Sequence, residues 1–295
     1  MNLSLAKRNY YGYLFIAPFI LGFLIFGLYP VYNTFYLSFT DTTLMSSDAN
    51  FIGLQNFQRL FADDVFTNAV KNTWLIWILN FIPQIGIALL ISVWFTSTRL
   101  KIRAVGGWRA TFFLPNLLMP AAIAALFFSL FSFYGPVNQF LVRTGILPEA
   151  MHFLQNVPIT RGLVIFIQWW IWFGQTIIIV MAGMTAIPIS LYEAAMVDGA
   201  NEFEIYRYII MPLMRPITLS AMIILGHISL KVFDLIIATA GKQIALDVPS
   251  IYMWQTTFDG YFFSRGAAIG ILLLLSVTVL VVPYLRYSLR SEAQV

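Results

Sequence analysis

The apolar residues of this chain fall into six long runs separated by short polar connections, at about 11–37, 69–95, 111–133, 163–187, 217–240 and 266–285. Each reaches or approaches the ~20 helical residues that cross a hydrocarbon core of ~30 Å. The pattern predicts an all-α membrane protein with six spanning helices. One connection departs from the rest. SLYEAAMVDGANEFEIYRYIIMPLMRP, at 190–216, is the longest charged and patterned stretch. Ser190 with Glu193 has capping-box spacing, in which each side chain satisfies a backbone N–H at a helix start. Asp198-Gly199 supplies a stop, because glycine accepts the left-handed conformation just past a helix end. Asn201 with Glu204 repeats the capping-box spacing, and Pro212 and Pro216 close the second helix. The stretch predicts a helix–turn–helix on the membrane surface between the fourth and fifth spans.

Composition sharpens the membrane reading. Sixty per cent of residues are hydrophobic and 10% charged, against about 25% charged in soluble proteins. The net charge of +4 comes from basic residues beside the spans, not from one aromatic-studded face, so nucleic-acid binding is not indicated. Orientation follows from them. Lys7, Arg8, Arg99, Lys101, Arg103, Arg109, Arg207, Arg215, Arg286 and Arg290 fall on one side, ten in all, against six (Arg59, Lys71, Arg143, Arg161, Lys242, Arg265) on the other. Both termini and the 190–216 loop therefore face the cytoplasm. The first apolar run is too long for a cleavable signal and lacks its cleavage pattern. There is no cysteine, which excludes disulfides and thiolate metal sites. No repeat or linker suggests a second domain, so 1–295 reads as a single membrane domain.

Polar groups inside spans mark candidate function. Gln168, Trp172 and Gln175 stand at i, i+4 and i+7, on one face of the fourth span. Amides bond hydroxyls and a flat indole covers the C–H face of a sugar ring, so the face suits a carbohydrate. The alternative is an aromatic belt, above all at Trp169 and Trp170, with amides that hold helices together. In the fifth span His227, Lys231 and Asp234 share a face, and Lys231 and Asp234 can pair at i, i+3. A structural ion pair and an interhelical bond from His227 compete there with ligand contact and a proton relay. Asn80 and Gln84, near Pro83, read as helix-packing glue. The external segment 51–74 alternates aromatic and polar residues, as an amphipathic stretch at the outer interface would. No phosphate-binding Gly-x-x-x-x-Gly-Lys-Ser/Thr motif, metal-ligand spacing or Gly-x-Ser-x-Gly elbow is present. Catalytic and metal-binding residues are therefore not expected, and energy must come from another subunit or an ion gradient.

The combination Glu193-Ala194-Ala195, three residues, Gly199-Ala200, then Ile209-Ile210-Met211-Pro212 resembles the cytoplasmic coupling loop of binding-protein-dependent ABC importers, with methionine at 211 where that family usually has leucine. The runs 13–41 and 51–74, and Leu114-Pro115 with Pro120, are similar to sugar-type permeases of that family, so the resemblance covers nearly the whole chain. It implies a type I importer permease of the maltose type. It also implies a homologous second permease, two ATPase subunits carrying ATP and Mg, an extracytoplasmic solute-binding protein, a sugar substrate and residence in the lipid of the inner membrane. Matched residue by residue, it places substrate contacts at Gln168, Ile171, Trp172 and Gln175, and at Leu225, Ser229 and Val232. Relatives have asparagine where Ser229 and Val232 stand here. It places ATPase coupling at Glu193, Ala194, Ala195, Asp198, Gly199, Ala200 and Pro212; Glu193 is compatible with both docking and capping. The stretch 247–253 is similar to aldose-importer permeases, while glycerol phosphates and amino sugars stay open as substrates. Two other classes compete: an ion-coupled secondary sugar carrier using His227, Lys231 and Asp234, and an intramembrane glycosyl transferase with Glu193 or Asp234 as base. The coupling loop argues against the first, and the lack of a catalytic dyad or metal motif against the second.

Overall fold

The computed structural model describes residues 5–43, 49–96, 102–230, 233, 235–237 and 246–292. Every regular element among them is helical, apart from an isolated antiparallel bridge between Thr40 and Phe51. The chain forms two compact units, Met1–Asp64 with Tyr252–Leu275, and Val65–Ile251 with Ser276–Val295.

In the first unit, helix α1 (Leu5–Phe23), a π turn (Leu24–Leu28) and α2 (Tyr29–Ser38) make one run. Its Gly12–Ser38 portion is long and apolar enough to cross a membrane, and none of its most apolar window is buried within the chain. A helix that is apolar all round in this way is one that lipid or another chain covers. The chain then turns through buried hydroxyls. Asn56, on α3 (Gln55–Phe61), donates its amide to the carbonyls of Ser38 and Thr40, both at 2.9 Å. The Thr40 hydroxyl lies 2.9 Å from that of Ser264, whose oxygen also accepts from the Thr42 N–H at 2.7 Å. The amphipathic stretch at 51–74 thus resolves into the Phe51 bridge, the short α3 with Asn56 and Leu60 buried four residues apart, and the start of the next helix.

That helix, α4 (Asp64–Thr96), leads into the second unit, where α5 (Val105–Phe113), a 3-10 turn (Leu114–Leu117) and α6 (Pro120–Leu130) follow. The third expected span is therefore not one straight helix but a pair bent by 88°. The reason is local. Leu118 and Met119 are extended, with ψ of 146° and 129°, as the residue before a proline prefers, and Pro120 has no N–H to continue the ladder. Beyond α7 (Pro136–Arg143), the side chain of Asn156 accepts from the Ile159 N–H at 3.2 Å and caps α8 (Val157–Thr185).

The core of this unit is the seam between α4 and α8. Ile76, Ile167 and Ile171 meet in one buried cluster, and Ile85, Ala88, Ile177 and Val180 in a second. Gly174 lets α5 approach α8 closely: a Cβ there would lie 2.6 Å from the Phe113 Cα and collide with the Phe112 carbonyl.

After α8 come α9 (Ile189–Val197), α10 (Glu202–Ile205), a π turn (Tyr206–Ile210), α11 (Met211–Leu213) and α12 (Arg215–Leu230). Pro212 does not end the second surface helix as expected. The π turn shifts the hydrogen-bond register ahead of it, with the Met211 N–H bonded to the Tyr206 carbonyl, so a residue without an N–H is accommodated. The break falls at Met214, where Glu202–Leu213 and Arg215–Leu225 bend by 62°. The chain closes with α13 (Pro249–Trp254), a π turn and α14 (Phe263–Glu292). Four of the six expected spans are thus continuous (Gly12–Ser38, Asp64–Thr96, Val157–Thr185 and Phe263–Arg286), the third is a bent pair, and the fifth is described mainly over its first part, in α12.

Candidate functional site

The face expected on α8 divides by burial. Gln168 and Ile171 are inside the protein, 1% and 3% exposed, Ile171 within the cluster of Ile76 and Ile167. Trp172 and Gln175, with Thr176, instead face Ala221 and Leu225 of α12 across a narrow cleft. Three of the expected substrate residues, Trp172, Gln175 and Leu225, therefore come together between two helices distant in sequence. The cleft measures about 10 Å³, room for about one water, so this chain alone does not enclose a sugar. Ser229 and His227 fall on α12; Lys231, Val232 and Asp234 lie outside the described residues.

Polar contacts fix how α4 sits on α8. The Gln84 amide donates to the Thr176 hydroxyl at 2.6 Å, and that hydroxyl donates to the Trp172 carbonyl at 3.0 Å, so Gln84 is interhelical glue as expected. Asn80 is not: it is 1% exposed, and neither its amide nitrogen nor its oxygen has a partner among the described residues. At the start of α8, Arg161 donates to the Asn72 oxygen at 3.1 Å, and Asn72 donates to the Asp247 carbonyl at 3.0 Å. Sequence reasoning missed this tie, because its three members are spread over 175 positions and none stands in a recognisable motif.

The elbow after α8 is built by two caps. Gly199 has φ +82°, its N–H bonds the Met196 carbonyl at 3.2 Å, and the Ala200 N–H bonds the Ala195 carbonyl at 2.9 Å. These two bonds make a Schellman ending for α9, with Asp198 as its C-cap. Two residues later the Asn201 oxygen accepts from the Glu204 N–H at 3.0 Å, while a Glu204 carboxylate oxygen accepts from the Asn201 N–H at 2.8 Å. The second capping box is formed as expected; the first is not. Helix α9 starts at Ile189 behind Pro188, without a side-chain cap, and Ser190 lies inside its first turn. A proline with extended ψ already sets the entry, so the Ser190 hydroxyl has no start to cap.

Of the expected coupling residues, Glu193, Ala194, Asp198, Gly199 and Pro212 are exposed, Ala200 is half-buried, and Ala195 is buried on the inner face of α9. The elbow also carries bare apolar groups, Val197 at 87% and Phe203 at 72% exposure. Beneath it lies a cavity of about 450 Å³, with Thr96, Tyr192, Glu193, Met196 and Glu202 in its walls. Burial pushes the Tyr192 hydroxyl above its ordinary pKa, so it stays a neutral hydrogen-bonding group. Among the described residues no group of three His, Asp or Glu side chains could hold a metal ion.

No family model matches the chain. It is 32% identical to a probable ABC transporter permease protein of Pyrococcus horikoshii, over 96% of this chain and 97% of that relative. It is 30% identical to the lactose transport system permease protein LacF of Rhizobium radiobacter, over 92% and 93%. It is 28% identical to the arabinooligosaccharides transport system permease protein AraP of Bacillus subtilis, over 94% and 88%. Among solved structures, a chain of a bacterial ABC transporter involved in the import of the acidic polysaccharide alginate superposes with a TM-score of 0.80, at 24% identity and 96% coverage of both chains, and shares the fold. The six helical spans, the doubly capped elbow and this similarity along nearly the full length lead to one conclusion: the chain belongs to the permease family of ABC transporters, as a membrane-spanning subunit that does not itself hydrolyse ATP.

Proposed function

We propose that this chain is one permease subunit of an ATP-driven sugar importer of the inner membrane, folded as a single permease domain with both termini in the cytoplasm. It pairs with a homologous permease, docks on two ATPase subunits that carry ATP and Mg, and receives sugar from an external solute-binding protein. Lactose and arabinooligosaccharide permeases among its relatives support the substrate class.

The doubly capped elbow carries the reading. A tight Schellman turn followed at once by a capping box makes α9 and α10 one stiff bracket, and Val197 and Phe203 present apolar surface on it. Exposed apolar groups on a surface elbow are what a partner protein covers. Closure of the ATPase dimer would push the bracket, and the push would reach α12 through the 62° bend at Met214. Glu193 and Asp198 then serve as docking contacts. Trp172, Gln175 and Leu225 form this chain's share of the sugar path, which the partner permease completes. Gln168, Ile171, Ser229 and Val232 join it when the helices part.

The test is uptake of radiolabelled lactose and arabinotriose by proteoliposomes of the assembled transporter. Uptake should require ATP inside the vesicle and survive collapse of the proton gradient. Gly199→Val, which puts a β-branched residue at positive φ, should leave expression and insertion intact but lower uptake at least tenfold. Uptake that follows the proton gradient without ATP would overturn the reading in favour of an ion-coupled carrier.

A further inference from the structure

A layer of unpartnered polar atoms lies inside the α4–α8 seam, outside the cleft described above. Trp77, Asn80 and Gln84 stand at i, i+3 and i+7 on α4, so they share one face. All three are more than nine-tenths buried, at 8%, 1% and 0% exposure. Among the described residues, the Trp77 indole nitrogen, both polar atoms of Asn80 and the Gln84 amide oxygen have no partner. The register of the seam gives the residues of α8 at the same level. Asn72 meets Arg161 above, and Gln84 meets Thr176 below. Asn80 lies eight residues past Asn72 and four before Gln84, about 12 Å and 6 Å along the helix. The same distances on α8 lead to Trp169 and Trp172. The indole nitrogen of Trp169 is likewise buried and unpartnered.

Such atoms are not explained by packing. An unpaired buried amide inside a membrane span is destabilising, and a leucine of similar size would not be. The layer holds donors (two indole N–H groups and the Asn80 NH2) and acceptors (the Asn80 and Gln84 oxygens), and none of these side chains is charged. That set matches a group which both donates and accepts, a hydroxyl. Indole faces beside amides match the rest of a sugar ring.

We propose that Trp77, Asn80, Gln84 and Trp169 form a hydroxyl-binding layer in the α4–α8 seam that engages a sugar hydroxyl or a water when the two helices part during transport. The proposal rests on the sugar-importer reading, and the seam supplies binding residues on α4, a helix to which no substrate contact has been assigned. Parting α4 from α8 at this layer breaks the Gln84–Thr176 side-chain bond. The Gln84–Thr176 bond is the direct side-chain tie between the two helices nearest this layer among the described contacts, and the next one above is Arg161–Asn72.

The experiment compares the wild-type transporter with Asn80→Leu and Trp77→Phe in the same proteoliposome assay, with radiolabelled lactose and arabinotriose as probes. Asn80→Leu should keep or raise the melting temperature of the assembled complex, because it removes an unpartnered amide, yet lower uptake at least tenfold. Trp77→Phe, which keeps a ring and removes the N–H, should lower uptake about threefold or more. A raised KM at unchanged maximal rate identifies a sugar hydroxyl as the ligand; a lowered maximal rate at unchanged KM identifies water. Uptake by Asn80→Leu within twofold of wild type would overturn the proposal, as would a melting temperature lowered by several degrees, which would make Asn80 a packing group. Absence of ATP-driven uptake in the wild-type protein would instead count against the sugar-importer reading itself.

Discussion

Tyr252 shows how much one side chain can hold. Its hydroxyl donates to an Asp63 carboxylate oxygen, which ties α13 to the link between α3 and α4. Burial first, and then the Asp63 bond and charge, push its pKa from the ordinary 10 up to about 12; Thr256 and Arg265 pull weakly the other way. The folded protein therefore holds this proton more tightly than the unfolded chain. Between pH 10 and 12 the folded state binds more protons, so stability falls as pH rises through that window and is fully present below pH 10. The melting temperature should lose this contribution only above about pH 10, and Tyr252→Phe should remove that part of the alkaline slope. The same variant should destabilise the protein by about 1–3 kcal/mol at neutral pH, since it removes a part-buried hydrogen bond to a carboxylate. An unchanged alkaline melting curve in Tyr252→Phe would show that the tie contributes nothing. Tyrosine at 252 and aspartate at 63 carry no signal as sequence; only folding makes them neighbours.

At the scale of elements, two glycines in spanning helices have opposite roles. Gly174 on α8 lies against the backbone of Phe112 and Phe113, and the ring of Phe112 meets that of Phe173 edge-on at 5.7 Å. A Cβ added to Gly86 on α4 would meet nothing within 4 Å. Gly174→Ala should therefore push α5 off α8, at a cost of about 1–3 kcal/mol or more, read as lower yield and melting temperature. Gly86→Ala should be neutral or stabilise by up to about 1 kcal/mol, because it only reduces backbone freedom. Equal effects of the two changes would sink the account of the α5–α8 contact. The elements themselves were legible to different degrees. Asn201 with Glu204, and Gly199, announce a capping box and a helix stop through chemistry that acts within four residues. Ser190 with Glu193 has the same spacing and forms no box, because Pro188 has already set the start of α9. The 88° break before Pro120 was signalled by Leu114-Pro115 and Pro120, but its angle depends on packing against α8.

At the scale of the whole molecule, the cleft between α8 and α12 carries the main transport expectation. Trp172→Ala and Gln175→Leu should lower sugar uptake while leaving assembly with the ATPase intact. Loss of a polar group that bonds a buried hydroxyl costs about 1–3 kcal/mol, a change of about 5- to 150-fold in apparent affinity. If both variants instead fail to assemble, the two side chains are packing groups. Co-purification of the subunits and uptake on the same preparation separate the two outcomes.

Residue order alone suffices to place this chain in a membrane, to locate its six apolar runs, and to find the elbow with a glycine stop and an Asn201 cap that joins two of them. These are properties of composition, length and contacts a few residues apart, and the hydrophobic effect and backbone hydrogen bonding act on them locally. It also carried a family resemblance on the Glu193–Pro212 pattern, with relatives matching over nearly the full length. Which polar side chains share a seam was settled by three-dimensional packing. Gln84 finds Thr176 across 92 positions and Asn72 finds Arg161 across 89, while Asn80, on the same face as Gln84, finds no partner among the described residues. Packing also divided one helical face of α8, sending Gln168 and Ile171 into the core and Trp172 with Gln175 to the cleft. The period of a helix states which residues share a face, but what that face meets is set by the rotation and depth at which a second helix packs. Those follow from the summed fit of many side chains, among them Gly174 and Ile177, and no single residue encodes them.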